Sequence, residues 1–534
     1  MSYILLYFRS CINYKVAFQS NLFLCSLEYK LYSPLYMNVT LLRKVSLTYL
    51  LFPNIIFVCG WFNLAIVIPL ILTMAYLLVR ELRKRNEINE FRFQFSDLIF
   101  LGILSMIWTF LSGNGGYSFQ IVDAYGHNAK FYDLSTSDWP YYFEGSNRLI
   151  RYYFGYYLVP ALIFKVLGKI HPSVIFIWTW VGFFIGIAWA YALLFKSKPL
   201  VVTFLFMGGI GTILFRIISK IYSFETEQNT FNINIGSVFD QSRWVPNQLI
   251  PSLIVSCIML YDFGVRKKVE ESFLPISLSL IWAIFPFISL CIIHLIYFFS
   301  GVKWKEVFTV KILPLYLLPT LCLVPILIYF ASGEKPPING FVWEFRGDGS
   351  FLLRYILGVF LDGLIICYVY YKLHSPSTLL PNRLMVFIFV VFFSLSLYVV
   401  GKWNDWLTKM NISFLVVFLI INLRFVHERF ISGRWIPKHW SASVVVVLFL
   451  FLNFFHQSLI LMQPLRSNVL TNLITKGSFT AFPFHKYGDL YSTLRILGSQ
   501  EEAQQYMAVK DSYYERNLAR KRPASATLVR LGRR

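Results

Sequence analysis

Asp123 follows a glycine-rich stretch, Gly113-Asn114-Gly115-Gly116, and is itself followed by His127, Asn128 and Lys130. In a helix these lie one to two turns on and can share its face. A carboxylate held there can deprotonate a hydroxyl acceptor or hold a divalent cation. Its plainer alternatives are a solvated loop acid and a helix cap. Asp138, just ahead of Trp139-Pro140, has the chemistry of a turn. Arg148 and Arg151 precede an aromatic-rich apolar run and suit either a lipid phosphate or anchoring at an interface.

Two further polar clusters stand where apolar runs begin. FDQSRWVPNQLIP carries Asp240, Arg243, Trp244, Pro246, Asn247 and Gln248, whose amides can meet a ligand or satisfy free backbone groups at a helix start. GKWNDWLTKMNIS carries Asn404, Asp405 and Lys409, with the last two at the i, i+4 spacing of a local ion pair. No phosphate-binding loop, dinucleotide fingerprint or HExxH pair is present, which removes the signatures of an ATP-driven pump and a zinc protease. The seven cysteines are scattered without ligand spacing and read as small buried hydrophobes.

The elements that must position these residues are membrane-spanning helices. The 534 residues are 57% hydrophobic and 14% charged, against about 25% charged in an ordinary soluble chain. Mean hydropathy is +0.59. Apolar blocks of roughly 16–25 residues suit a hydrocarbon core of about 30 Å. The net charge of +22 fits cationic loops gathered on the cytoplasmic side better than a nucleic-acid partner.

Residues 46–79 form an apolar stretch broken near Gly60-Trp61, the pattern of a helical hairpin. Arg80, Arg83, Lys84, Arg85 and Arg92 then mark a cytoplasmic loop, and residues 97–112 cross outward. Residues 113–150 form the first large external loop. Further spans fall near 151–168, 174–195, 199–218, 247–262, 273–299, 312–332, 351–371, 384–400, 411–424 and 441–462, with Pro286 able to split one of them. Basic loops at Arg266-Lys267-Lys268, at Lys303, Lys305 and Lys311, and at Arg424, Arg429, Arg434 and Lys438 lie inside. If all three segments between 151 and 218 cross fully, loop 219–246 falls on the wrong side for the next span, so one of them is interfacial or re-entrant.

The expected fold is therefore an all-α integral membrane protein, a bundle of about 12–14 transmembrane helices with a large first external loop. It has an N-terminal segment 1–45, a polytopic domain 46–462 and a polar tail 463–534. Residues 1–36 read either as an early start-codon assignment ahead of Met37 or as an interfacial segment. No regular repeat of 20–50 residues emerges.

The three clusters, in this order, resemble those of bacterial polytopic proteins of the GT-C glycosyltransferase superfamily. The resemblance rests on GGYSFQIVDAYGHNAKFYDL with the following WP and LIRYYFGYYLVPALIFKVLG, on RWVPNQLIPSLI, and on NDWLTKMNISFL, with a weaker echo in QQYMAVKDSYY. It spans about residues 46–462. The first stretch is similar to a GGxxxQxxDxxxHNAxxxDL…WP pattern, the second to WxPQHxLP and the third to NDxxxRxSIPxL. Lys409 stands where Arg is usual and Ser413 where Pro is usual, which weakens a bidentate phosphate contact by Lys409.

The resemblance implies transfer from a polyprenyl-phosphate-linked sugar at the external face of a bacterial inner membrane, in cell-envelope glycan or glycolipid assembly. Asp123 would activate a hydroxyl acceptor. His127, Lys130, Arg148, Arg151, Arg243, Gln248, Asn404, Asp405 and Lys409 would bind substrate, with the donor phosphate falling to Arg148, Arg151, Arg243 or Lys409. No cofactor is implied; a tightly held divalent cation is not expected, because Ala124 and not a second acid follows Asp123. Two other readings stand beside this one. A carrier or flippase for a lipid-linked or polyanionic substrate would show buried charges and broken helices within its spans, with Asp362 and His294 as candidates. A non-catalytic envelope-assembly subunit would need none of the three clusters.

Overall fold

The computed structural model describes residues 37–85, 91–143, 145–211, 235–301, 313–336, 338–344, 356–374, 379–401, 404–431, 440–467 and 480–521. Residues 1–36, the loop 302–312, the stretch 432–439 and the basic end beyond Lys521 lie outside them, and so do the expectations made there. The first helices are α1 (Val39–Trp61), α2 (Leu64–Leu82), α3 (Phe95–Leu111), α4 (Asp123–Thr136), α5 (Gly155–Leu167) and α6 (Pro172–Leu193). Next come α7 (Lys198–Phe206), α8 (Val238–Trp244), α9 (Pro246–Tyr261), α10 (Phe273–Leu278), α11 (Ile284–Gly301) and α12 (Leu318–Ala331). The chain ends in α13 (Leu361–Leu373), α14 (Asn382–Leu395), α15 (Asp405–Ile431), α16 (Trp440–Leu465), α17 (Leu490–Leu497) and α18 (Gln500–Gln504). Three two-stranded antiparallel ribbons complete it: Met37–Asn38 with Arg92–Phe93, Tyr142–Phe143 with Arg148–Leu149, and Asn339–Phe341 with Tyr398–Val400.

Among the described residues, seven helices are long and apolar enough to cross a membrane: α1, α2, α6, α9 extended to Arg266, α12 counted from Pro314, α15 to Arg429, and α16 from Ser443. Four shorter apolar helices, α3, α5, α11 and α14, accompany them. α9 and α15 are buried along nearly their whole length, whereas α2 and α16 show apolar faces outward. On α2 the exposed residues are Leu64, Ile68, Leu72 and Tyr76, one stripe at i+4 intervals. An apolar stripe of that extent is unfavourable in water and suits hydrocarbon.

Close packing at the centre depends on small residues. In α6, Gly182 and Gly186 form a G-x-x-x-G pair against α9, and added Cβ atoms would come within 2.9 Å of Ile250 and 2.7 Å of Leu253. With no side chain between them the two backbones approach closely, as in membrane helix pairs. α9 is thereby fixed, and with it the polar residues at its start.

The bundle has two chemically different ends. At one, Arg43 meets Asp262 at 2.7 Å, Lys84 meets Glu81 and Glu271 at 2.7 Å each, and Arg266 meets Asp262 at 3.0 Å. The arginine- and lysine-rich segments after α2 and after α9 are therefore neighbours, as their shared composition led one to expect. At the other end lie α4, the starts of α9 and α15, and the C-terminal segment.

The hairpin of residues 46–79 turns at Phe62-Asn63, where the Asn63 side chain accepts from Ile66 N at 3.2 Å. The segment expected at 273–299 divides at Ser279–Ala283, ahead of Pro286. Of the span expected at 199–218, α7 covers Lys198–Phe206, and residues 212–218 lie outside the described residues. At about 1.5 Å per residue the nine residues of α7 span less than half of a roughly 30 Å core. The chain then runs irregularly through Met207–Gly211, and α8 resumes where Val238 N donates to Met207 O at 3.0 Å. The exposed backbone at this break is satisfied from neighbouring helices. Asp362 accepts from Ile210 N at 2.8 Å and Gly211 N at 3.1 Å, and the Asn453 side chain accepts from Gly208 N at 2.9 Å. Irregular backbone at this depth is tolerable only when protein supplies such partners.

Candidate functional site

α3 ends at Ser112, and the chain reverses through Gly113 and Gly115 at φ +77° and +83°. At Gly113 a Cβ would sit 2.3 Å from Phe119 O, so the turn admits no side chain. The reversal delivers α4, with Asp123 in its first turn. Of the expected face, Asp123, His127 and Lys130 line one cavity of about 290 Å³, whereas Asn128 is turned away from it. The opposite face is tied to the C-terminal segment. Tyr125 stacks on Phe482 with centroids 4.1 Å apart, Asn128 donates to Phe482 O at 2.9 Å, and Tyr132 stacks on His485 at 4.3 Å. On the flank, Asp133 accepts from Tyr141 OH and from Leu490 N, both at 2.6 Å.

The same cavity is lined by Gln241, Trp244 and Asn247 from the α8–α9 corner and by Asp405, Thr408 and Lys409 from α15. Tyr152, and Leu494, Leu497, Gly498, Glu502 and Tyr506 of the C-terminal segment, close it. Three clusters far apart in sequence thus meet at one site. Asn404 precedes α15 in the left-handed region, at φ 50°, which asparagine adopts more readily than most residues. Asp405 then pairs with Lys409 at 2.6 Å.

Electrostatics distinguish the groups. Asp123 keeps an exposed surface because it faces the open cavity. Even so, lost solvation among the surrounding protein atoms pushes its carboxyl above the usual carboxylate range, partly offset by Lys409 and Lys130. Lys130 is buried and pushed down to about 7, first by desolvation and then by the charge of Lys409. Its ammonium lies 4.4 Å from the Tyr152 ring centre and 5.4 Å from that of Tyr157, a favourable cation–π setting. Glu502, also buried, is pushed up to about 7 by desolvation and by Asp405.

His127 is fully engaged. Its Nε2 lies 2.9 Å from Trp244 O, which can only accept, so Nε2 donates there and Nδ1 accepts from Tyr157 OH at 2.6 Å. Burial and the Lys130 charge push the ring down to about 3, so it stays neutral. His127 therefore holds α4 against the α8–α9 corner, and neither nitrogen is available to a substrate.

Five expected ligands lie off the cavity lining. Arg148 pairs with Glu334 and donates to Ala508 O at 3.0 Å. Arg151 donates to Phe330 O and to Gln505 O, the latter at 2.9 Å. Both arginines lace the C-terminal segment onto the bundle. Arg243 donates to Gln463 at 3.0 Å and lies over the Phe119 and Phe239 rings. Gln248 is buried one residue beyond the rim, donating to Tyr153 OH at 3.1 Å. Asn404 adjoins Asp405 but does not line the cavity. Asp123, His127, Lys130, Asp405 and Lys409 are brought together.

Glu502 and Tyr506 escaped the sequence reading because nothing in a polar tail announces where it docks. The only signal was the QQYMAVKDSYY echo, which begins two residues after Glu502. Among the described residues no group of three or more histidine, cysteine or acidic side chains is arranged to hold a metal ion. Compared with known protein families, with curated proteins and with solved structures, the chain matches none.

Proposed function

We propose that this protein is a multi-pass membrane glycosyltransferase of GT-C-like architecture, a bundle of about 12–14 helices. It takes a sugar from a polyprenyl-phosphate donor at the external face of a bacterial inner membrane and serves cell-envelope glycan or glycolipid assembly. The observation that carries this reading is the convergence of Asp123, Lys130, Lys409 and Glu502 on one cavity at the end of the bundle away from the basic loops. At about 290 Å³ it lies near the lower bound of small-molecule sites, roughly 300–1,000 Å³.

Asp123 takes the proton of the acceptor hydroxyl as its oxygen bonds to the anomeric carbon of the donor. The bond from that carbon to the phosphate oxygen breaks, and its electron pair leaves with polyprenyl phosphate. Lys130 and Lys409 neutralise the departing charge. A phosphate beside Lys130 favours its protonated form, so the anion itself completes the cationic side of the site. Asp405 holds Lys409 in place.

The test is release of polyprenyl phosphate from a panel of polyprenyl-phosphate sugars by purified protein in detergent. Asp123→Asn should lower turnover by about 10²–10⁴-fold, with insertion and folding unchanged. Equal turnover by both forms would remove Asp123 from the chemistry.

The irregular backbone at Met207–Gly211, with Asp362 buried against it, favours a second reading, a carrier for a lipid-linked or polyanionic substrate. Against it, the Asp362 carboxylate is spent on the backbone of Ile210 and Gly211, and His294 bonds Ser272 Oγ at 2.9 Å. Substrate flux into proteoliposomes that Asp362→Asn abolishes, without release of polyprenyl phosphate, would favour the carrier.

A further inference from the structure

Asn247 stands in the first turn of α9, is 1% exposed and lines the cavity. Neither its amide nitrogen nor its amide oxygen has a hydrogen-bond partner among the described residues. Its neighbour Gln248 donates to Tyr153, and His127 spends both ring nitrogens, so Asn247 is the rim amide with both halves unspent. A buried amide left unpaired costs about 1–3 kcal/mol per group. A ligand offering an acceptor and a donor side by side recovers that cost.

We propose, resting on the transferase reading, that Asn247 is the specificity-determining residue for the transferred sugar and pairs with an adjacent donor and acceptor on it. Two sugar substituents have this chemistry: an acetamido group, through its N–H and C=O, and a vicinal diol. Trp244, beside Asn247 on the same corner, offers a flat apolar face to the C–H side of a sugar ring. The α8–α9 corner thus reads the sugar while Asp123, Lys130 and Lys409 handle the acceptor proton and the phosphate. Such a site discriminates strongly, because an analogue lacking the paired groups leaves the buried amide unsatisfied.

The experiment is thermal stabilisation of the detergent-solubilised full chain by short-chain prenyl phosphate alone, by prenyl-phosphate hexoses, by prenyl-phosphate N-acetylhexosamines, and by the matching deoxy analogues. Wild type should be stabilised more by one sugar class than by prenyl phosphate, and deoxygenation or loss of the acetamido group should erase the difference. Preference for the acetamido or the diol sugars names the substituent. Asn247→Ala should bind every sugar probe like prenyl phosphate alone, a loss on the order of 100-fold in affinity for the preferred sugar. Asn247→Leu guards against misfolding, since an apolar side chain of similar volume leaves no buried polar group unpaired; it should melt no lower than wild type and lose the same preference. Retained preference in both variants, or no sugar preferred over prenyl phosphate by wild type, would overturn the assignment. A protein that prefers a sugar through Asn247 yet releases no prenyl phosphate would keep this inference and sink the transferase reading.

Discussion

Lys130 and Glu502 are two cavity groups whose charge changes near neutral pH. Buried beside Lys409 and pushed down to about 7, Lys130 is protonated on the acid side of neutrality and neutral above it. Asp123, raised above the usual carboxylate range, must be ionised to accept a proton. In the proposed reaction kcat/KM should therefore rise as Asp123 ionises and fall as pH passes through about 7 and Lys130 loses its charge. Lys130→Arg keeps the charge at any accessible pH, so the alkaline limb should move upward by more than one pH unit while the acid limb stays in place. A pH series of prenyl-phosphate release checks this, and an unmoved alkaline limb would exclude Lys130 as the titrating group. The aromatic rings of Tyr152 and Tyr157 make the arginine tolerable, since guanidinium stacks on such faces.

At the scale of elements, α4 is held on one side by the α8–α9 corner through His127 and on the other by the C-terminal segment. Asp133 joins α4 to α17 by receiving the buried Leu490 N–H. Asp133→Ala leaves that N–H unpaired, at a cost of about 1–3 kcal/mol. We expect the C-terminal segment to loosen, with a lower Tm and faster limited proteolysis between 480 and 521. Unchanged protease resistance would mean that Arg148 and Arg151 suffice to hold it. The helical face of Asp123, His127 and Lys130 was legible because residues one to two turns apart on a helix can share a face. The duties of Arg148 and Arg151 were not: a guanidinium before an apolar run has the same composition whether it meets a lipid phosphate or the carbonyls of Phe330 and Gln505. Glu502 was hidden for the same reason, as the charges that act on it, Asp405 and Lys409, lie far away in sequence.

At the scale of the molecule, hydropathy located most of the apolar helices, including the hairpin. It could not show that the end of α7 meets the start of α8, a junction made by Val238 N on Met207 O. The two ends of the bundle carry the remaining prediction. Arg43, Lys84 and Arg266 are interlocked at one end. Lys486 lies over Tyr125 at the other, on the face of α4 turned away from the cavity. In the proposed orientation the positive-inside bias makes the first end cytoplasmic and the cavity external, where a lipid-linked donor and an envelope acceptor would meet. In a cysteine-free background, Lys486→Cys should react with a membrane-impermeant thiol reagent on intact cells, and Lys267→Cys only after the membrane is opened. The reverse pattern would put the cavity in the cytoplasm, where soluble nucleotide sugars are the natural donors, and would remove the reason for a polyprenyl carrier.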